Sequence, residues 1–129
     1  AKCYGISFTV KGIYIHNGKY YFHTEVKNST NVPFEIDYIN FKVVDKKVAK
    51  RTVAQQKSII PLRTYKPLIK IPGNSIEQNV FLLDRFTTST DKVLLIEIFE
   101  KNGGRNQTIQ VENTDLIKAR LISDMHLKI

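Results

Sequence analysis

Apolar and polar side chains alternate with a period of two along much of this chain, and that period is typical of β-strands with one buried face. The alternation runs over residues 6–10, 20–26, 39–43 and 109–111. A helix would need apolar residues every three or four positions, so the pattern excludes a mainly helical fold.

Two further segments are nearly continuous apolar runs, and turn residues separate the strand patterns. Residues 76–83 and 92–99 are the runs, which predict central strands buried on both faces.

Asn17-Gly18 and Asn102-Gly103 each lie between two strand patterns. Asn-Gly favours the positive φ angles of a two-residue hairpin turn, so both positions predict hairpins.

These patterns predict an all-β fold, an antiparallel β-sandwich of the immunoglobulin-like kind. The length of 129 residues suits one domain over residues 1–129. One short helix is compatible with the sequence near Asn113 to Ile122, with Asn113 or Thr114 as its cap.

The single cysteine, the length of the apolar runs and the first residue each lead to an expectation. One cysteine, Cys3, cannot form an internal disulfide, so stability must come from packing, and we interpret this thiol as inert. The longest apolar run, residues 93–96, is far too short to cross a membrane. Because the chain begins with Ala1, we expect a processed protein or the C-terminal domain of a longer exported one.

The net charge of +8 lies in one stretch, here named the basic segment, residues 46–76. It holds eight basic residues and no Asp or Glu, whereas the rest of the chain is balanced, 12 basic against 12 acidic. Three of the four prolines also lie there, which predicts a sheet edge or loop. The charge either protects that edge from unwanted pairing or forms a docking surface for an acidic partner. The predicted docking residues are Lys46, Lys47, Lys50, Arg51, Lys57, Arg63, Lys66 and Lys70.

The sequence gives no indication of an enzyme. It contains no phosphate-binding glycine loop, no nucleophile elbow and no zinc-ligand spacing. His16 and His23 could approach each other across the first hairpin, but two histidines without a third ligand make a weak metal site. We therefore predict no catalytic, cofactor-binding or metal-binding residues, and no cofactor.

The aromatic residues argue against direct contact with nucleic acid. Binding of single strands needs exposed aromatic rings beside basic groups, and Tyr65 is the one aromatic residue in the basic segment. Tyr14, Tyr21 and Tyr38 are candidates for exposure but lie away from the charge. Five phenylalanines occupy apolar strand positions and are predicted to be core: Phe8, Phe22, Phe41, Phe81 and Phe99.

Four strings resemble a known family. Residues 10–15 (VKGIYI), 45–52 (DKKVAKRT), 83–87 (LDRFT) and 100–105 (EKNGGR) resemble, in this order, the C-terminal domain of the TraN family of conjugative transposons. The similarity extends from about Tyr4 to Leu121, and the second string opens the basic segment.

This resemblance implies a structural role in conjugative DNA transfer. It implies a periplasmic β-sandwich associated with the outer membrane, similar in role to the type IV secretion core subunit that packs against a channel-forming subunit and a small lipoprotein. It implies no catalytic residues. Together with the charge, it leads to the hypothesis that the basic segment and one sheet edge dock neighbouring subunits.

Two other functions remain open from the residues alone. The same sandwich could be an adhesion or glycan-binding module, which would need exposed aromatic rings beside polar groups in a concave site. A nucleic-acid-binding β-barrel is the second alternative, and its binding would weaken steeply with salt.

Overall fold

The computed structural model describes residues 2–45, 57–86 and 91–121, and most of these residues lie in β-strands. The strands are β1 Lys2–Cys3, β2 Ile6–His16, β3 Lys19–Asn28, β4 Phe34–Asp45, β5 Lys57–Ile59, β6 Arg63–Thr64, β7 Lys70–Ile71, β8 Ser75–Leu83, β9 Lys92–Glu100, β10 Gln107–Glu112 and β11 Arg120–Leu121, and the helix is α1 Asn113–Ile117.

The strands form two sheets that pack as a sandwich. The first sheet has the order β1-β2-β3-β8-β6, with β11 also on β2, and the second has the order β10-β9-β4-β5, with β7 also on β4. In the first sheet, the neighbouring strands β2-β3-β8-β6 correspond to strands A-B-E-D of an immunoglobulin sandwich. In the second sheet, β10-β9-β4 correspond to strands G-F-C. The predicted fold class is therefore confirmed, with one addition: β11 pairs with β2 in parallel.

The core lies between the sheets because one phase of each alternating strand faces inward. Phe8, Phe22, Phe41 and Phe81 are almost completely buried, as their strand positions predicted. The rings make contact across the sandwich, with the centroids of Phe22 and Phe41 6.5 Å apart and those of Phe41 and Phe81 5.3 Å apart. Each buried ring stabilises the fold by about 1.5–3 kcal/mol through removal of apolar surface from water.

The predicted Asn-Gly turns differ in their geometry. Asn17 and Gly18 both have positive φ, 51° and 71°, as a type I′ turn between β2 and β3 requires. At the second position only Asn102 has positive φ, 57°, and the loop from β9 to β10 is longer than two residues. The hairpin is thus present there, but the tight turn predicted for Asn102-Gly103 is not.

Three sequence predictions about individual side chains are wrong. Phe99 lies on the outer face of the second sheet, since its neighbour Ile98 faces the core, and it stacks on Tyr38 with the centroids 4.5 Å apart. Tyr14 is buried rather than exposed. Ile76 is half exposed because it lies on the outer face of β8, opposite to the core residues Phe81 and Leu83, so β8 is not buried on both faces along its length.

The predicted helix is present but shorter. Helix α1 begins after Glu112, and two reciprocal hydrogen bonds cap it. The Glu112 carboxylate accepts a hydrogen bond from the backbone N–H of Asp115, and the Asp115 carboxylate accepts one from the backbone N–H of Glu112 at 2.9 Å. This reciprocal capping replaces the cap predicted at Asn113 or Thr114. Leu116 is the buried residue of the helix, and Ile122 lies outside the described residues.

An arginine joins the loop between β9 and β10 to the loop between β3 and β4. The Arg105 guanidinium donates to Glu100 Oε2 through Nε (3.0 Å) and Nη2 (2.7 Å), and Nη2 also donates to the Pro33 carbonyl at 2.8 Å. The guanidinium carbon lies over the Phe34 ring, 5.4 Å from its centre. These donors hold the pKa of the Glu100 carboxyl below its ordinary value.

The described residues include no helix long and apolar enough to cross a membrane.

Candidate docking surfaces

The described part of the basic segment crosses from one sheet to the other along one side of the sandwich. It begins at β5, beside β4 in the second sheet, continues to β6, beside β8 in the first, and returns to β4 as β7. We name residues 57–71 the strap. Its three strands have two or three residues each and lie at sheet edges, so the prediction of an edge or loop is confirmed for this part.

A buried asparagine fixes the middle of the strap. Asn79 on β8 is 2% exposed, and its Nδ2 donates to the Lys66 carbonyl at 2.8 Å. The Lys66 backbone N–H donates in return to Asn79 Oδ1 at 3.2 Å. The amide side chain thus replaces a strand backbone as hydrogen-bond partner, which holds the strap against β8 beyond the end of β6.

The structure divides the predicted docking residues into three groups. Lys57, Arg63 and Lys70 are exposed on the strap. Lys66 is half-buried, and its Nζ forms an ion pair with Glu77 Oε2 at 2.7 Å, so it is a structural contact of the strap. The other four predicted residues lie outside the described residues: Lys46, Lys47, Lys50 and Arg51.

Exposed apolar side chains accompany the strap cations, which the sequence analysis missed. Ile60 is 83% exposed and Ile69 69%, and Leu62 and Tyr65 are exposed as well. These are four of the ten large apolar side chains that are exposed among the described residues. The absence of a regular two-residue alternation around the three prolines could have indicated that these side chains have no sheet face to be buried against.

The second candidate surface is a groove on the opposite side of the sandwich, where the edges of β2 and β10 face each other. It has a volume of about 420 Å³. Apolar side chains form its floor and walls: Phe8, Val10, Ile13, Ile109 and Val111. Polar residues of α1, of β11 and of the turn between them lie at one end: Asp115, Lys118 and Arg120. We name this the edge groove.

The edge of β2 along this groove is open between two short strands. β1 pairs with β2 at Ile6 and Ser7, and β11 pairs with it at Tyr14 and Ile15. Within residues 2–45, 57–86 and 91–121, no strand pairs with the outer edge of β2 over residues 9–13. A bulge at residues 10–12 interrupts the pairing with β3 on the other side of the same stretch.

A contact between an arginine and a tyrosine fixes one end of the edge groove. Arg120 Nη2 donates to the Tyr14 hydroxyl at 2.6 Å, and the guanidinium carbon lies 4.8 Å from the centre of the Tyr14 ring. Since Tyr14 is buried in β2, this contact holds β11 beside the sheet. The burial of Tyr14 is therefore explained by a partner more than a hundred residues away in the chain.

The histidines do not come together. His23 is buried, and its Nε2 lies 2.7 Å from Gln78 Oε1 on β8, whereas His16 is exposed beside the first turn. His126 lies outside the described residues. Within the described ranges, no group of three or more His, Cys, Asp or Glu side chains could hold a metal ion.

Comparison with curated proteins finds no match. A family model described as a domain of unknown function, DUF4138, matches residues 1–121, which include every strand described above. This chain therefore belongs to the DUF4138 family.

Proposed function

We propose that this domain is a protein-docking subunit of a conjugative transfer (type IV secretion) apparatus, located in the periplasm in association with the outer membrane. The TraN resemblance supplies the system and the location, together with the expected partners, a channel-forming subunit and a small lipoprotein. The observation that carries the docking role is the open edge of β2 above the apolar edge groove.

An extended segment of a partner would meet two complementary features there. The edge of β2 over residues 9–13, which pairs with no strand of the described ranges, offers backbone hydrogen bonds to an added strand, and the groove offers a place for every second side chain of that strand. Val10 and Ile13 on β2 and Ile109 on β10 lie within the groove and are only partly buried in the isolated domain. Their burial would add apolar contact area to the backbone hydrogen bonds.

The shape of the groove supports docking over glycan binding. Glycan sites use exposed aromatic rings beside polar groups, but the aromatic residue of the groove, Phe8, is fully buried. The exposed ring of Tyr38 stacks on Phe99 on an outer sheet face instead of lining the groove. The sandwich architecture also differs from the barrel of the nucleic-acid-binding alternative.

A matched pair of substitutions on β10 tests this role. Ile109→Lys places a charge in the edge groove, whereas Thr108→Lys places the same charge on the opposite, exposed face of the same strand. The long lysine stem lets the charge reach water, so we expect both variants to fold. In donor cells of a conjugation system, I109K should lose co-purification with the envelope subunits and reduce transfer, and T108K should behave like the unmodified protein.

Normal co-purification and transfer of a folded I109K protein would refute the role of the groove. If circular dichroism shows that I109K does not fold, amide exchange of the unmodified domain provides the same test. The backbone amides within residues 9–13 that point away from β3 should exchange more slowly in the assembled complex than in the isolated domain. Equal exchange rates in the two states would refute strand docking at this edge.

A further inference from the structure

We propose that the strap side of the domain binds peripherally to an anionic phospholipid surface. This inference concerns the side of the sandwich opposite the edge groove and does not depend on the proposed function. It rests on exposed apolar side chains interspersed with cations on a chain segment that contains no acidic residue.

The apolar side chains are the first observation. Ile60, Ile69 and Tyr65 are each more than half exposed to water, on a segment that short edge strands and Asn79 hold against the sandwich. Isolated exposed apolar residues are common on soluble domains, but several on one short segment indicate a surface that is covered in the functional state. Insertion into the boundary between headgroups and acyl chains would bury these side chains without a shaped protein pocket.

The cations are the second observation. Lys57 and Arg63 are exposed and make no ion pair with any residue within the described ranges. Lys70 is also exposed, but it lies opposite Glu35 in the pairing of β7 with β4, so we expect it to contribute less to lipid binding than Lys57 and Arg63. Residues 57–71 contain no Asp or Glu, which makes the strap attractive to anionic headgroups.

The residue types favour lipid over protein as the partner. Three of the four basic residues of the strap are lysines, and lysine is depleted in the buried centre of protein interfaces, where arginine is enriched. Lysine suits a membrane surface because its stem lies along apolar material while its ammonium group stays among the headgroups. A second copy of the domain would bring like charges face to face in a symmetric pair. Nucleic acid would leave the exposed aliphatic side chains without a role.

Vesicle co-sedimentation of the full 129-residue chain tests the proposal. The protein should bind vesicles that contain phosphatidylglycerol at low salt, bind them less as salt is raised, and not bind vesicles of phosphatidylcholine alone. The double variant K57Q/R63Q should lower the partition coefficient roughly 30-fold. Removal of the apolar side chains in I60S/I69S should lower it by about tenfold or more.

Two matched controls separate this surface from general charge and general hydrophobicity. K11Q/K27Q removes two exposed cations on β2 and β3, outside the strap, and I117S/L121S removes two exposed apolar side chains near the edge groove. Both controls should bind like the unmodified chain. All substituted positions are exposed, so far-ultraviolet circular dichroism should show the folded spectrum for every variant.

Three results would overturn the proposal. The first is equal binding to neutral and anionic vesicles, or no binding to either at low salt. The second is a loss of binding in the controls as large as in the strap variants, or no loss in I60S/I69S. The third is tighter binding of the strap to soluble polyglutamate or to DNA than to anionic vesicles, which would assign this side to an acidic protein or to nucleic acid instead.

Discussion

Replacement of Arg105 by Met removes one side chain that joins two loops of the sandwich. The substitution deletes two hydrogen bonds to the Glu100 carboxylate and those to the Pro33 carbonyl and the Thr30 hydroxyl. The side chains of Arg105 and Glu100 are only 15% and 10% exposed, so the carboxylate that remains is largely shielded from water. Loss of one partner from such a buried pair costs about 3–5 kcal/mol.

The structure places the expected cost at the lower end of that range. The backbone N–H of residue 105 still donates to Glu100 Oε1, at 2.9 Å, after the side chain is replaced. Met also keeps apolar contact with the Phe34 ring, over which the guanidinium lies. We therefore expect R105M to lower the free energy of unfolding by about 3 kcal/mol at neutral pH.

The pH dependence identifies the cause of this loss. The folded pKa of Glu100 lies below its ordinary value of 4.5, chiefly because of the hydrogen bonds from the Arg105 side chain. The stabilisation is therefore fully present above the pKa of the unfolded chain and is lost as the pH falls through the folded pKa. The stability difference between the unmodified chain and R105M should be constant above about pH 6 and should narrow below about pH 4.

Urea unfolding followed by far-ultraviolet circular dichroism measures this difference across the pH range. R85M is the matched control, since Arg85 is exposed and its substitution should change stability by no more than about 0.5 kcal/mol. A cost below about 1 kcal/mol for R105M would refute the account, because a buried carboxylate cannot lose its charged partner so cheaply. A difference between R105M and the unmodified chain that stays the same at acidic pH would refute the role assigned to Glu100.

Three further predictions concern the contacts that hold the candidate surfaces and the first turn. Asn79→Leu leaves the backbone groups of Lys66 without their buried partner, so thermal denaturation should show a loss of about 2–3 kcal/mol and limited proteolysis should cut the strap sooner. Gly18→Ala should cost about 1 kcal/mol in chemical denaturation, because the φ of 71° strains a residue with Cβ although the site has space for it. Tyr14→Phe removes the hydroxyl that accepts from Arg120, so stability should fall by about 1 kcal/mol and amide exchange in β11 should become faster. An unchanged result for any of the three in its own assay would contradict the contact assigned to it.

The sequence predicted the sandwich well because its two strongest signals are local. Alternation places Phe8, Phe22 and Phe41 in the core without knowledge of the sheet order, and Asn17-Gly18 carries the φ requirement of its turn within two residues. The nearly continuous apolar run over β9 does not alternate, so it does not indicate which side chains face the core. For this reason Phe99 was predicted to lie in the core, although it lies on the outer face.

The candidate surfaces could be predicted only in part, because they depend on contacts between distant residues. The charge of the strap is visible in the sequence, but the pairing of Lys66 with Glu77 and the exposure of Ile60 and Ile69 are not. The edge groove exists because β2 and β10 lie at the same side of different sheets, which follows from the strand order. No local pattern indicates that Tyr14 will be covered by Arg120.

The two short strands on either side of the open stretch of β2 also have a consequence for solubility. An exposed, long and flat strand edge invites copies of a protein to pair without limit into fibres. Here β1 and β11 occupy both ends of the edge, and the bulge at residues 10–12 twists the part between them. A full-length β2 from another molecule would collide with β1 and β11, so this edge favours a short guest strand over open-ended pairing between copies of the domain.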